Sequence, residues 1–167
     1  MYGFNFELDD FQKEAIDNIE NGKSVVVCAP TGAGKTCIAQ SAIHLALENN
    51  KRIFYTTPLK ALSNQKYHDF SVQYGQENVG LLTGDTTINR DAKIVVMTTE
   101  VFRNMLYGTT FGSLADNLND VKYVVLDEVH YMNDESRGTV WEESIIYCPT
   151  NIQIIALSAT VQNSKQL

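Results

Sequence analysis

This chain has no cysteine pairs at metal-site spacing, few prolines and no excess of positive charge. Its 167 residues include three cysteines, Cys28, Cys37 and Cys148. That odd number, without a CxxC spacing, excludes a disulfide framework or a four-cysteine zinc site as the organising element. The three read as small buried apolar residues in a reducing compartment. Only three prolines are present, so no proline-rich linker divides the chain, and neither repeats nor low-complexity tracts interrupt it. Acidic residues outnumber basic ones by 20 to 13, for a net charge of −7. Such a chain does not coat nucleic acid by bulk charge, although a narrow track stays open to it because the local field decides contact. No apolar stretch approaches the roughly 20 residues of a membrane span. The opening MYGFNFELDD carries acids where a secretory leader needs basic and then apolar residues. The expectation is one soluble, cytoplasmic domain, with 44% hydrophobic residues to build its core.

What recurs is a short β-branched run followed by a polar, helix-compatible segment. The runs are SVVVCA (24–29), RIFYTT (52–57), VGLLT (79–83), KIVVMTT (93–99), YVVLDE (123–128) and IQIIALSAT (152–160). They do not alternate apolar with polar, which predicts strands covered on both faces, as in a parallel sheet between helices. Residues 9–20 place Phe11, Ala15, Ile16 and Ile19 on one helical stripe, and 35–49 do the same with Ile38, Ala42, Leu45 and Ala46. Segments 59–74 and 99–107 are further helices, and Gly108 to Asp120 reads as a loop or short helix. Alternating strands and helices predict a three-layer α/β fold with a mainly parallel central sheet. Ligands of such sheets sit at the carboxyl ends of the strands.

The segment APTGAGKT (29–36) follows the first strand run and opens the second helix. It fits G-x-x-x-x-G-K-[ST] with Ala29 in place of the first glycine. Gly32 and Gly34 allow backbone N–H groups to converge on a phosphate, helped by the positive end of the helix that follows. Pro30, Thr31 and Ala33 complete the loop. Lys35 can reach β- and γ-phosphates, and Thr36 can offer its hydroxyl to Mg²⁺. The run YVVLDEVH (123–130) ends a strand on two carboxylates. Asp127 is placed to bind Mg²⁺ through water, and Glu128 to orient and deprotonate the water that attacks the γ-phosphate. Their side chains leave a strand on opposite faces, and the turn at the strand end lets both approach one site. The cofactors expected are therefore ATP and Mg²⁺, with Lys35 and Glu128 as the catalytic pair. His44 and His68 show no partner spacing, and Trp141 reads as a core residue.

Together these motifs resemble the first RecA-like domain of superfamily-2 DExH helicases, and among them the superkiller-type (Ski-like) RNA helicases. The matching pieces are FELDDFQ (6–12), APTGAGKT (29–36), TPLKALSNQK (57–66), LLTGD (81–85), TTEVFRNML (98–106), DEVHYMNDESRGTVWEE (127–143) and LSAT (157–160). DEVHYMND with RGTVWEE separates this group from DEAD-box proteins, and the wording of APTGAGKT and TTPLKALSNQ is similar to cyanobacterial and chloroplast members. The resemblance implies that Phe6 stacks on adenine and that Gln12 hydrogen-bonds its edge. It implies an RNA track of Pro58, Lys60, Ala61, Asn64, Gln65, Thr83, Gly84, Asp85, Thr98 and Thr99, contacting mostly phosphate and sugar. It implies that His130, Ser158 and Thr160 couple nucleotide state to domain movement. It also implies that residues 1–167 are the ATP-binding half of a longer helicase whose second RecA-like domain contributes an arginine. Single-stranded RNA is the expected partner, with single-stranded DNA the alternative. A small-molecule kinase or an ATP-switched clamp would leave DEVH and LSAT, or Glu128, without a role.

Overall fold

The computed structural model describes residues 10–29, 34–108, 118, 120–129 and 148–159. In chain order these form α1 (Asp10–Glu20), β1 (Val25–Ala29), α2 (Lys35–Glu48), β2 (Arg52–Thr57) and α3 (Lys60–Tyr74). After a 3₁₀ turn at Gln76–Asn78 come β3 (Val79–Leu82), β4 (Thr87–Ile88), β5 (Ile94–Thr98), α4 (Thr99–Gly108), β6 (Val121–Leu126) and β7 (Gln153–Ala159). The seven strands form one sheet in the order β1-β7-β6-β2-β5-β3-β4. All neighbours pair in parallel except β3 with β4.

The chain leaves β1 for β2 and β2 for β3 in one direction across the sheet, then returns through β5, β6 and β7. Right-handed crossovers in opposite directions put their helices on opposite faces. Accordingly α1, α2 and α3 pack on one face, where Ala15, Ile19, Ile38, Ile43 and Phe70 meet Ile53, Tyr55, Val96 and Val125. The other face buries Phe102, Met105 and Leu106 of α4 against Phe54, Val95, Val124 and Leu126. Each fully buried residue of this size contributes roughly 1.5–3 kcal/mol relative to exposure. The strands β2, β3, β5 and β6 are covered on both faces, which explains their unbroken apolar runs.

Two expectations are corrected at β1. Among the described residues it is an outer strand that pairs only with β7. Val26 is 67% exposed and Cys28 is also exposed, while Val27 between them is buried. SVVVCA is thus open on one face, and Cys28 is not the buried residue its chemistry predicted. Cys37 is buried, and burial pushes the half-buried Cys148 thiol up to about 11. The two-residue strand β4 was not anticipated either. It folds back on β3 over Gly80, where a Cβ would collide with the backbone carbonyls of Asn89 and Ile88. Trp141 and most of the segment between Gly108 and Asp120 lie outside the described residues. No helix among the described residues is long and apolar enough to cross a membrane.

Candidate functional site

Parallel strands bring their carboxyl ends to one edge, and that edge divides into two stretches. The first lies over β1, β7 and β6. Here a cavity of about 210 Å³ is lined by Gly34, Lys35, Thr36, Tyr55, Lys66, Asp127, Glu128 and Leu157. Lys35 and Thr36 open α2, so they stand at its positive end. Gly34 precedes them with φ 81°, in the left-handed region. Its carbonyl accepts from Gln12 Nε2 at 3.0 Å and from the amide and thiol of Cys37 at 3.1 and 2.9 Å. Its left-handed conformation favours glycine, and a Cβ there would also displace the Gln12 amide.

Gln12 itself is buried, 3% exposed, and ties α1 to Gly34 at the start of α2. Phe6, Pro30, Thr31, Gly32, Ala33, His130 and Thr160 lie outside the described residues. Ala29 ends β1, and Ser158 lies beside Cys28 in the β1–β7 register.

Asp127 and Glu128 follow β6 directly. Tyr123 and Val125 face the α2 layer, so strand alternation carries Asp127 to the same face. Its amide donates to Thr56 O at 2.9 Å, which prolongs the β2–β6 pairing by one residue. Glu128 then takes φ 57°, a left-handed conformation unusual for a side-chain-bearing residue. That reversal brings Glu128 to the cavity that Asp127 also lines, and strain of this kind concentrates at functional sites. The Asp127 carboxylate accepts from the Glu128 amide at 2.8 Å through Oδ1 and from the Tyr55 hydroxyl through Oδ2. Burial and the adjacent Asp127 push the Tyr55 hydroxyl well above its ordinary pKa, so it stays protonated and donates.

Tyr55 and Lys66 were not anticipated as site residues. Tyr55 sits inside an apolar strand run and reads as core, and Lys66 reads as one of several helix lysines. Only the register, with Tyr55 beside Val125 and two residues from Asp127, reveals the first.

The second stretch lies over β2, β5 and β3. Thr57 Oγ1 donates to Leu59 O at 2.9 Å and meets Ser63 Oγ at 2.8 Å, fixing how α3 leaves β2. This presents Pro58, Lys60, Ala61, Asn64 and Gln65 at the rim, Lys60, Ala61, Asn64 and Gln65 exposed. From β3, Thr83 Oγ1 donates to Asp85 Oδ1 at 3.1 Å, and Lys60 Nζ reaches Asp85 Oδ2 at 2.5 Å. The Lys60 ammonium and the Thr83 hydroxyl hold the Asp85 carboxyl below its ordinary range. Gly84 is exposed beside them. From β5, Thr98 Oγ1 accepts from the Val101 amide at 3.3 Å and caps α4. Thr99 is 1% exposed, and among the described residues its buried hydroxyl has no hydrogen-bond partner. Three separate sequence motifs therefore meet along one rim.

A sequence profile for the DEAD/DEAH box helicases matches residues 9–167. The chain belongs to that family. Among its helicase relatives, the chloroplastic DExH-box ATP-dependent RNA helicase DExH15 of Arabidopsis thaliana is 55% identical over 98% of this chain and 14% of its own length. The antiviral helicase SKI2 of Saccharomyces cerevisiae is 52% identical over 95% of the chain and 12% of its own. The chain thus spans about one seventh or less of these relatives. The solved structure of the Mycobacterium smegmatis helicase Lhr, bound to ssDNA and AMP-PNP, aligns with a TM-score of 0.68 and 26% identity. That alignment covers 96% of this chain and 24% of Lhr.

Proposed function

We propose that this chain is the ATP-binding half of an ATP-dependent RNA helicase, residues 1–167 forming the first of two RecA-like domains. The observation that carries the reading is the convergence of Lys35, Thr36, Asp127 and Glu128 on one cavity at the carboxyl edge. Lys35 neutralises the β- and γ-phosphates while the amino end of α2 faces them. Glu128 accepts a proton from the water that attacks the γ-phosphate, and its left-handed backbone aims the carboxylate at that water. One hydroxyl and one carboxylate on the wall, completed by phosphate and water oxygens, form the hard-oxygen set that suits Mg²⁺. When bound there, held by Thr36 and through water by Asp127, it supplies charge neutralisation on the phosphates. Phe6 and Gln12 would complete the adenine pocket, with Ala29 and residues 30–34 enclosing the phosphates. His130, Ser158 and Thr160 would relay the nucleotide state.

Single-stranded RNA would lie along Pro58, Lys60, Ala61, Asn64, Gln65, Thr83, Gly84, Asp85, Thr98 and Thr99, held by its backbone. The DExH15 relative, 55% identical, is named an ATP-dependent RNA helicase, whereas Lhr at 26% was solved with ssDNA. A steady-state ATPase assay separates the two readings. A protein containing both RecA-like domains should be stimulated more by single-stranded RNA than by DNA of equal length and sequence. The 167-residue chain alone should show almost no turnover, because an arginine finger contributes about 10³–10⁵ in rate. Robust RNA-stimulated turnover by the chain alone would overturn the half-site reading.

A further inference from the structure

Tyr55 is 1% exposed, and a phenylalanine would fill the same space without a hydroxyl to satisfy. Its ring is held from two directions, by an edge-on contact with Phe70 at 5.0 Å and 78° and by Lys66 Nζ at 5.7 Å from the ring centre. The hydroxyl that results can go in one direction only, and it meets Asp127 Oδ2. The other carboxylate oxygen is engaged by the Glu128 amide at 2.8 Å, and the backbone beneath is pinned to Thr56 O at 2.9 Å. A carboxylate offers about four acceptor positions over its two oxygens. With one donor on each oxygen, rotation of the carboxylate is blocked and the remaining lone pairs keep fixed directions beside the cavity.

We propose that Tyr55 is a positioning residue for magnesium-dependent nucleotide binding, acting through the orientation it imposes on Asp127. The inference rests on the reading of Asp127 as the carboxylate that holds the metal's water. A hydroxyl present only to satisfy a buried aspartate would affect folding. A positioning hydroxyl also sets how much magnesium improves nucleotide affinity. Partners that orient a metal-binding group in this way typically change metal affinity by about 10–100-fold when removed.

Calorimetric titration of the chain with ADP, once with excess Mg²⁺ and once with EDTA, reads that improvement without any turnover. The unsubstituted chain should bind ADP more tightly with Mg²⁺, and Asp127→Asn should lose the gain. Tyr55→Phe should keep the affinity measured in EDTA and lose about tenfold of the gain. In the Asp127→Asn background, Tyr55→Phe should have no further effect on the gain. Thermal melts accompany each variant. If Tyr55→Phe does not melt cooperatively, Phe70→Leu takes its place, since it loosens the ring while leaving the hydroxyl, and it should lose part of the same gain. A chain whose ADP affinity ignores Mg²⁺, or whose Asp127→Asn variant keeps the gain, removes the reading of Asp127 and the role of Tyr55 with it. If those two behave as expected and Tyr55→Phe (or its substitute) retains the full gain, Tyr55 alone is refuted and its hydroxyl is structural.

Discussion

The two stretches of the carboxyl edge are built on opposite plans. Over β1, β7 and β6 the central carboxylate is recessed: Asp127 is 6% exposed and locked by two donors. Over β2, β5 and β3 the charged pair stands at the surface, with Lys60 and Asp85 paired in the open at 53% and 65% side-chain exposure. Recessed charges act in a low-dielectric setting where geometry decides their strength, which suits chemistry at a phosphate. Exposed ones are screened and exchangeable, which suits a backbone that must be gripped and released. The same sheet therefore carries a rigid site beside a yielding one.

Removing the carboxylate of Glu128 should expose the difference most strongly. In a protein with both RecA-like domains, Glu128→Gln should lower turnover by about 10²–10⁴ while Mg·ATP binding persists. Near-normal hydrolysis would mean that the recessed stretch holds no general base. Lys35→Ala should weaken ATP binding by roughly ten- to a hundredfold, as expected for a lost charge-assisted contact. Calorimetry checks this, and RNA affinity without nucleotide should stay level.

Gly80→Ala attacks the support of the yielding stretch instead. Its Cβ would meet the Asn89 and Ile88 carbonyls, so the β3–β4 hairpin must open, at about 1–3 kcal/mol. A thermal melt should show the loss, with the Mg²⁺-dependent ADP affinity of the other stretch retained. The smallest effects belong to the Lys60–Asp85 pair. Lys60→Ala should reduce the salt slope of single-stranded RNA binding by about one. Asp85→Asn should tighten RNA binding slightly by freeing Lys60, without a measurable change in Tm, because exposed ion pairs contribute little. Weaker binding by Asp85→Asn would show that its carboxylate grips the strand more than it restrains Lys60.

The layered architecture was legible because helices cover most strands on both sides, so β-branched runs stand out against helical stripes. The runs failed to reveal β4, whose two residues carry no pattern, and misled at β1, where Val26 and Cys28 look like core but face outward. The convergence of local motifs was equally readable: Lys35, Thr36, Asp127 and Glu128 lie in short, dense words that fold into one wall. Tyr55 was not, since its partner lies 72 positions away and meets it only through strand pairing. The sequence reading of Gln12 as an adenine contact gave no sign that its amide would also brace Gly34.

Helix α3 serves both stretches. Lys60, Asn64 and Gln65 present themselves at the rim, while Lys66, one residue further, lines the cavity. At about 1.5 Å rise per residue, these positions span roughly 9 Å of a single rod. Such a rod has no slack between its two contacts. A strand that tilts α3 at the rim moves the Lys66 ammonium and the packing of the Tyr55 ring by a comparable amount. With ligands on both stretches as proposed, this helix would act as a lever between them, and its stiffness would set how faithfully one feels the other.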